Sequence, residues 1–187
     1  FTLSIVRISE GIQNFGAGLV FLGGLIGGLV MVSWYVYRNK LSWLHVADWV
    51  APLLVLGHGI GRIGCFLVGD DYGIPSNLPW ACSFPQGLPP TNIPVHPTQL
   101  YEMLAYLSIY FYLRYRKRKQ HYSGELMFEY LFLAGFARFM IEFIRTNTKY
   151  IFDLSDAQYL SILMMLLGTI QMWRMRQSIS PNPQNLV

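Results

Sequence analysis

Residues 16 to 37, GAGLVFLGGLIGGLVMVSWYVY, contain no charged side chain. A hydrocarbon core about 30 Å thick is crossed by about 20 residues of helix, and a backbone placed there must satisfy its own polar groups, so such a stretch has few other options. Four more apolar stretches of comparable length follow, at 43 to 67, 98 to 115, 124 to 145 and 156 to 173. The chain is 53% hydrophobic and only 13% charged, which excludes an ordinary soluble domain. The expected fold is all-α, a polytopic integral membrane protein with about five transmembrane helices. A single transmembrane helical domain over 1 to 177 would include a polar outer-side loop region at 68 to 97, and 178 to 187 would be a short solvated tail. The chain opens at Phe1 in mid-pattern, so an N-terminal piece with further spans is expected to precede it.

Basic residues follow three of the stretches: Arg38 and Lys40, the run RYRKRK at 114 to 119, and Arg174 with Arg176. By the positive-inside rule these ends and the C-terminus are cytoplasmic, and the 68 to 97 connection falls outside. Beside a membrane span, such a run reads as a topology signal and lipid-headgroup contact, with no nucleic-acid partner.

Depth can then be counted at about 1.5 Å per residue. Arg62 reaches the outer interface on its helix. Arg138 climbs to the same level, with Glu142 and Arg145 behind it at helical spacing. The segment VHPTQLYE, 95 to 102, enters from outside with His96, Gln99, Tyr101 and Glu102 in its first turns. Three segments distant in sequence therefore deliver ionisable groups to one depth. Structural pairing alone would join Arg138 to Glu142, and Arg62 to Asp70 or Asp48. Three arginines at one level, Arg62, Arg138 and Arg145, instead suggest a surplus of guanidinium. That surplus fits an anionic ligand such as a phospholipid phosphate, in a polar cavity open to the outer leaflet.

At these residues a family resemblance emerges. GRIGCFLVGDDYG resembles the signature of bacterial phosphatidylglycerol:prolipoprotein diacylglyceryl transferases, usually G-R-x-G-N-F-x-N-G-E. The similarity extends to FLGGLIGG at 21 to 28, DWVAPLLVLGHGIGR at 48 to 62, HPTQLYE at 96 to 102 and GFARFMIEFIR at 135 to 145. The resemblance implies a seven-helix enzyme of the bacterial cytoplasmic (inner) membrane. Such an enzyme moves a diacylglyceryl group from phosphatidylglycerol to the lipobox cysteine of a prolipoprotein signal peptide, releases glycerol 1-phosphate and needs no cofactor. It further implies Arg62 and Arg138 as phosphate ligands, Asp70 at the place of the signature's final Glu, and Glu142 orienting Arg138. His96, Gln99, Tyr101 and Glu102 become site residues, with Arg145 beside them. Gly61, Gly64 and Gly69 are read as close approaches of backbone to a helix or to lipid.

The departures are specific. Leu22 stands where the family carries a histidine, and Cys65 and Val68 replace the two signature asparagines. His58 lies one turn before Arg62 and could replace the missing base, with His96 and Asp70 as alternatives. A second reading is a catalytically degenerate member serving as a structural or lipid-binding subunit of a larger membrane complex. Cys65 and Cys82 read as free thiols, and no metal site is expected. Glu125 and Glu129 suit the start of a helix, and Tyr106, Tyr110, Tyr112 and Tyr115 form an interfacial or packing stripe.

Overall fold

The computed structural model describes residues 23, 24, 26 to 119, 121 to 147 and 153 to 177. Leu22 and the tail from 178 lie outside the described residues. The chain divides into two compact units, 1 to 46 and 47 to 187. In the first, helix α1 runs over 26 to 38 and closes with Lys40 in the left-handed region, φ 54°. The Leu41 amide donates to the Val36 carbonyl at 3.0 Å and the Lys40 amide to that of Tyr37 at 3.2 Å, which satisfies two carbonyls of the final turn.

Four helices form the rest of the frame: α2 (Trp43–Val68), α3 (Thr98–Arg116), α4 (Glu125–Glu142) and α5 (Asp156–Gln177). They coincide with the apolar stretches within a few residues. The S-x-x-Q sequence at 155 to 158 starts α5 as a capping box. Here the Ser155 amide donates to Gln158 Oε1 at 3.0 Å and the Gln158 amide to Ser155 Oγ at 3.3 Å. Of the described helices, α2 alone is both long and apolar enough by its own composition to cross a membrane. In α4 the apolar run is interrupted by Glu125, Glu129, Arg138 and Glu142.

Polarity is distributed inside out. Gln99, Glu102, Glu142 and Gln158 are fully buried, while Leu53, Ile60, Leu67, Leu104, Phe111, Leu160 and Leu163 are exposed. That arrangement suits an apolar solvent rather than water. A slab of apolar side chains joins α2, α3 and α4 through Ala51, Val55, Tyr106, Ile109, Leu113, Leu126, Tyr130 and Ala134. Helices α4 and α5 cross on glycine. A Cβ on Gly135 would lie 2.9 Å from the Ser161 carbonyl oxygen, and one on Gly168 would lie 2.7 Å from that of Phe128. The tyrosine stripe divides: Tyr106 is core, whereas Tyr112 and Tyr115 are exposed.

The connection after α2 departs from the all-α expectation. It carries an antiparallel ribbon of β1 (Cys82–Phe84) and β2 (Thr91–Val95), pairing Cys82 with Val95 and Phe84 with Thr91. The stretch TNIPVHP supplies β-branched residues and leaves Pro94 on an edge strand, where a missing amide is tolerated. The residues before it thread between elements. Gly73 donates to the His96 carbonyl at 2.8 Å and Ile74 to that of Ile144 at 2.9 Å. A Cβ on Gly73 would stand 2.5 Å from the Ile144 carbonyl oxygen. Close approach is thus required at Gly73, and at Gly69 with φ +73° against Phe84. Gly61 and Gly64 were expected to approach a helix or lipid; no described atom lies within 4 Å of a Cβ on either, so among the described residues no helix fills that role.

Asp48 ties the opposite end of the frame. Buried to 2% exposure, it accepts the Gly124 amide at 2.5 Å and the Met127 amide at 3.0 Å, so it caps α4 from a neighbouring helix. It therefore has no part in pairing Arg62. Replacing Asp48 by Ala strands two buried donors, and thermal unfolding of the purified protein should report a loss of about 2 to 4 kcal/mol.

Candidate functional site

Glu102 sits one turn into α3 with no exposed surface. Three guanidiniums converge on it. Arg62 from α2 pairs through Nε, Arg138 from α4 through Nη1, and Arg145, just beyond α4, through Nη1 at 3.3 Å. A second carboxylate, Glu142, lies 3.4 Å from Arg138 Nη2 and 3.7 Å from Arg145 Nε. Glu142 also accepts from Ser155 Oγ at 2.8 Å and from Asn147 Nδ2 at 2.5 Å. The sequence expectation that three segments meet at one level holds for Arg62, Glu102, Arg138, Glu142 and Arg145.

Among the described residues, the expected guanidinium surplus does not appear. Asp71 supplies a third carboxylate, with Oδ2 accepting from Arg62 Nη1 at 2.9 Å and Oδ1 bonded to Arg145 Nη2. Three arginines thus face three carboxylates. Sequence reasoning passed over Asp71 in favour of its neighbour because the signature's acidic position aligns with Asp70. The side chain of Asp70 stays out of the ion-pair network, and its Oδ1 is buried without a hydrogen bond. What turns Asp71 inward is backbone conformation. Asp71 has φ 60°, a left-handed value that aspartate tolerates better than most residues, and Gly69 before it has φ 73°. Thr98 Oγ1 then holds the Asp71 carbonyl at 2.7 Å, and Gln99 Nε2 holds that of Asp70 at 2.5 Å.

Burial works against the charge on Asp71, but Arg145 and Arg62 more than offset it and hold the carboxyl below its ordinary 3.8. The folded-state pKa is depressed, so this contribution is complete above the unfolded value and is lost as pH falls through the lower folded one. Arg62 and Arg138 are each 21% exposed at the side chain, whereas Arg145 is 2% exposed. With Asp71 in place on Arg145 Nη2, the first two are the guanidiniums that an incoming ligand can reach.

The histidines differ in their freedom. His96 Nδ1 lies 3.2 Å from Tyr101 Oη, which accepts a hydrogen bond from Trp80 Nε1 at 2.7 Å. The chain from Trp80 through Tyr101 holds the His96 ring in place. His58 is exposed, with Nδ1 3.4 Å from Tyr130 Oη and its ring 5.6 Å from that of Tyr106. Cys65 Sγ lies 3.6 Å from Arg62 Nη1. An open cleft lined by Leu67, Val68, Ser83, Phe84 and Gln86 lies at the ribbon, away from the arginines.

Glu102→Gln removes the charge on which three guanidiniums depend and should cost about 3 to 5 kcal/mol, as breaking a buried pair does. Asp71→Asn, at a side chain 41% exposed, should cost under about 1 kcal/mol. Thermal unfolding of the two variants in one detergent separates these outcomes.

The chain matches the family model described as prolipoprotein diacylglyceryl transferase over residues 1–174. A phosphatidylglycerol-prolipoprotein diacylglyceryl transferase of Clostridium tetani is 35% identical over 169 residues, covering 88% of this chain and 67% of its own length. Namesakes in Aeromonas salmonicida and Vibrio parahaemolyticus are 37% identical. They cover 83% and 87% of this chain, and 58% and 60% of their own. The chain therefore spans roughly three fifths to two thirds of these relatives.

Proposed function

Because the chain belongs to the prolipoprotein diacylglyceryl transferase family, we propose that it transfers the diacylglyceryl group of phosphatidylglycerol to the cysteine thiol of a prolipoprotein lipobox. The observation that carries this reading is the convergence of Arg62, Arg138 and Arg145 on one buried carboxylate, with Arg62 and Arg138 still partly exposed. The chemistry asks for such a group. Sulfur attacks the glyceryl carbon next to the phosphate ester; a C–S bond forms and the C–O bond breaks, its electron pair leaving on oxygen. A singly charged phosphodiester becomes the doubly charged monoester glycerol 1-phosphate. Guanidiniums oriented beforehand by Glu102 and Glu142 meet that added charge without reorganising.

The thiol proton needs an acceptor. His58 is the first candidate, one helical turn from Arg62 and free of the relay that holds His96; His96 and then Asp70 follow. Gln99 and Tyr101 act as supports for the loop and for His96. Gly61 and Gly64 leave the α2 face beside Arg62 without side chains, room for a lipid chain to lie against the helix.

The arrangement in the membrane belongs to the same proposal. Residues 1 to 177 form one transmembrane domain of about five spans in the bacterial cytoplasmic membrane. Its C-terminus is cytoplasmic and the arginine cluster faces the outer leaflet. Support comes from the basic ends, the inside-out burial and the polar ribbon that joins α2 to α3.

Reconstitution with labelled phosphatidylglycerol and a lipobox peptide tests the reaction, scored for thioether product. His58→Ala should lower turnover about 100-fold or more while phosphatidylglycerol still binds, whereas Arg62→Ala should impair both. Full activity after replacing His58, His96 and Asp70 in turn would rule out each as an obligatory base. A protein that forms no thioether where a histidine-bearing homologue does would instead be the degenerate subunit.

A further inference from the structure

Among the described residues, the arginine cluster is electrically complete before any ligand arrives. Arg62, Arg138 and Arg145 are matched by Asp71, Glu102 and Glu142. Adding a phosphodiester anion would leave a buried group with one negative charge in excess, which is costly where solvent is excluded. One carboxylate has to give way. Glu102 and Glu142 cannot, since their side chains are 0% and 1% exposed and lie within the helix packing.

Asp71 differs in each relevant respect. Its side chain is 41% exposed, and it lies on a connection rather than in a helix. Its backbone is held independently by Thr98 Oγ1 at 2.7 Å, so the carboxylate can rotate outward without the loop moving. It also occupies both donors in the way a phosphodiester would. One oxygen is on Arg62 Nη1 and the other on Arg145 Nη2, two guanidiniums bridged by two oxygens of one centre.

We propose that Asp71 is an internal stand-in for the substrate phosphate, which holds Arg62 and Arg145 in the empty site and is exchanged for the phosphodiester of the incoming lipid. The inference rests on the transferase reading for the identity of the lipid. The exchange itself concerns only a phosphate-bearing ligand. It keeps the cluster neutral in both states, and it makes Asp71 a positioning residue that sets lipid affinity by competition.

The test measures binding of phosphatidylglycerol to purified protein and to Asp71→Asn and Asp71→Ala, with diacylglycerol and inorganic phosphate as comparison ligands. Loss of a competing charge-assisted contact predicts phosphatidylglycerol binding tighter by about tenfold or more in both variants, and unchanged diacylglycerol binding. A residue with a merely structural role would not give a gain. Equal or weaker phosphatidylglycerol binding overturns the proposal. If inorganic phosphate alone gains equally and competes fully, the site takes the free anion and the lipid assignment is overturned.

A second measurement needs no variant. Carbodiimide labelling of Asp71 in the unmodified protein, read by peptide mass spectrometry, should rise several-fold on adding phosphatidylglycerol and not on adding diacylglycerol. Constant labelling at saturating lipid overturns the exchange. The thioether assay on unmodified protein is scored separately. Its failure would count against the transferase reading, while the binding and labelling results would still decide whether Asp71 yields to phosphate.

Discussion

A carboxylate with no contact with solvent costs several kcal/mol unless its partners are close and well oriented, and Glu102 is such a group. Its partners come from α2, from α4 and from the turn after α4, so the charge can be accommodated only if three helices meet at one level. A one-turn slip of any of them would move a guanidinium by about 5 Å and leave buried charge unpaired. Apolar packing does not impose that condition, because leucines and valines tolerate several registers. The ion cluster therefore specifies the arrangement, and the apolar slab of Val55, Ile109, Leu113 and Leu126 supplies contact area.

The other end of the helices is fixed by a different set. Arg116 at the end of α3 pairs with Glu125 at 3.0 Å and with Glu129 at 2.7 Å, and buried Asp48 of α2 caps α4. Lys117 lies 3.9 Å over the Trp49 ring, where burial and neighbouring Arg114 hold its ammonium below the ordinary lysine value. Helices α2, α3 and α4 are thus joined by polar contacts at both ends with an apolar layer between, a distribution suited to a slab of hydrocarbon with water on either side.

Helix positions were legible because predominantly apolar runs of about a span's length leave one backbone option, and α2 to α5 begin and end close to where the runs do. Much of the site was legible for a related reason. Residues such as Arg62, Glu102 and Arg138 are too costly in an apolar run to be incidental, and their depths can be counted. What escaped the sequence depends on backbone geometry. Choosing Asp71 over Asp70 requires knowing that φ is positive at Gly69 and Asp71, and spacing carries no such information. The same limit applies to glycine. Gly73, Gly135 and Gly168 lie against carbonyl oxygens, whereas Gly61 and Gly64, which stand in the recognisable motif, face no described atom. The ribbon was hidden because 68 to 97 is short, polar and rich in proline, a composition shared by strands at an edge and by irregular loops.

Charge balance gives the arginine cluster a direction as well as a binding role. In the proposed exchange, the phosphodiester enters with one charge as the Asp71 carboxylate leaves, and the cluster remains neutral. In the proposed transfer, a second negative charge would then develop on the phosphate beside Arg62 and Arg138. Once formed, that product leaves the cluster one charge in excess, with Glu102 and Glu142 unable to move away. Asp71, whose backbone has stayed in place, can restore neutrality by returning to Arg62 and Arg145 as glycerol 1-phosphate departs. A site with a true surplus of arginine would hold the doubly charged product more tightly than the substrate. A balanced site with one displaceable carboxylate favours its release, so the neutrality that argued against a simple anion pocket is better suited to turnover.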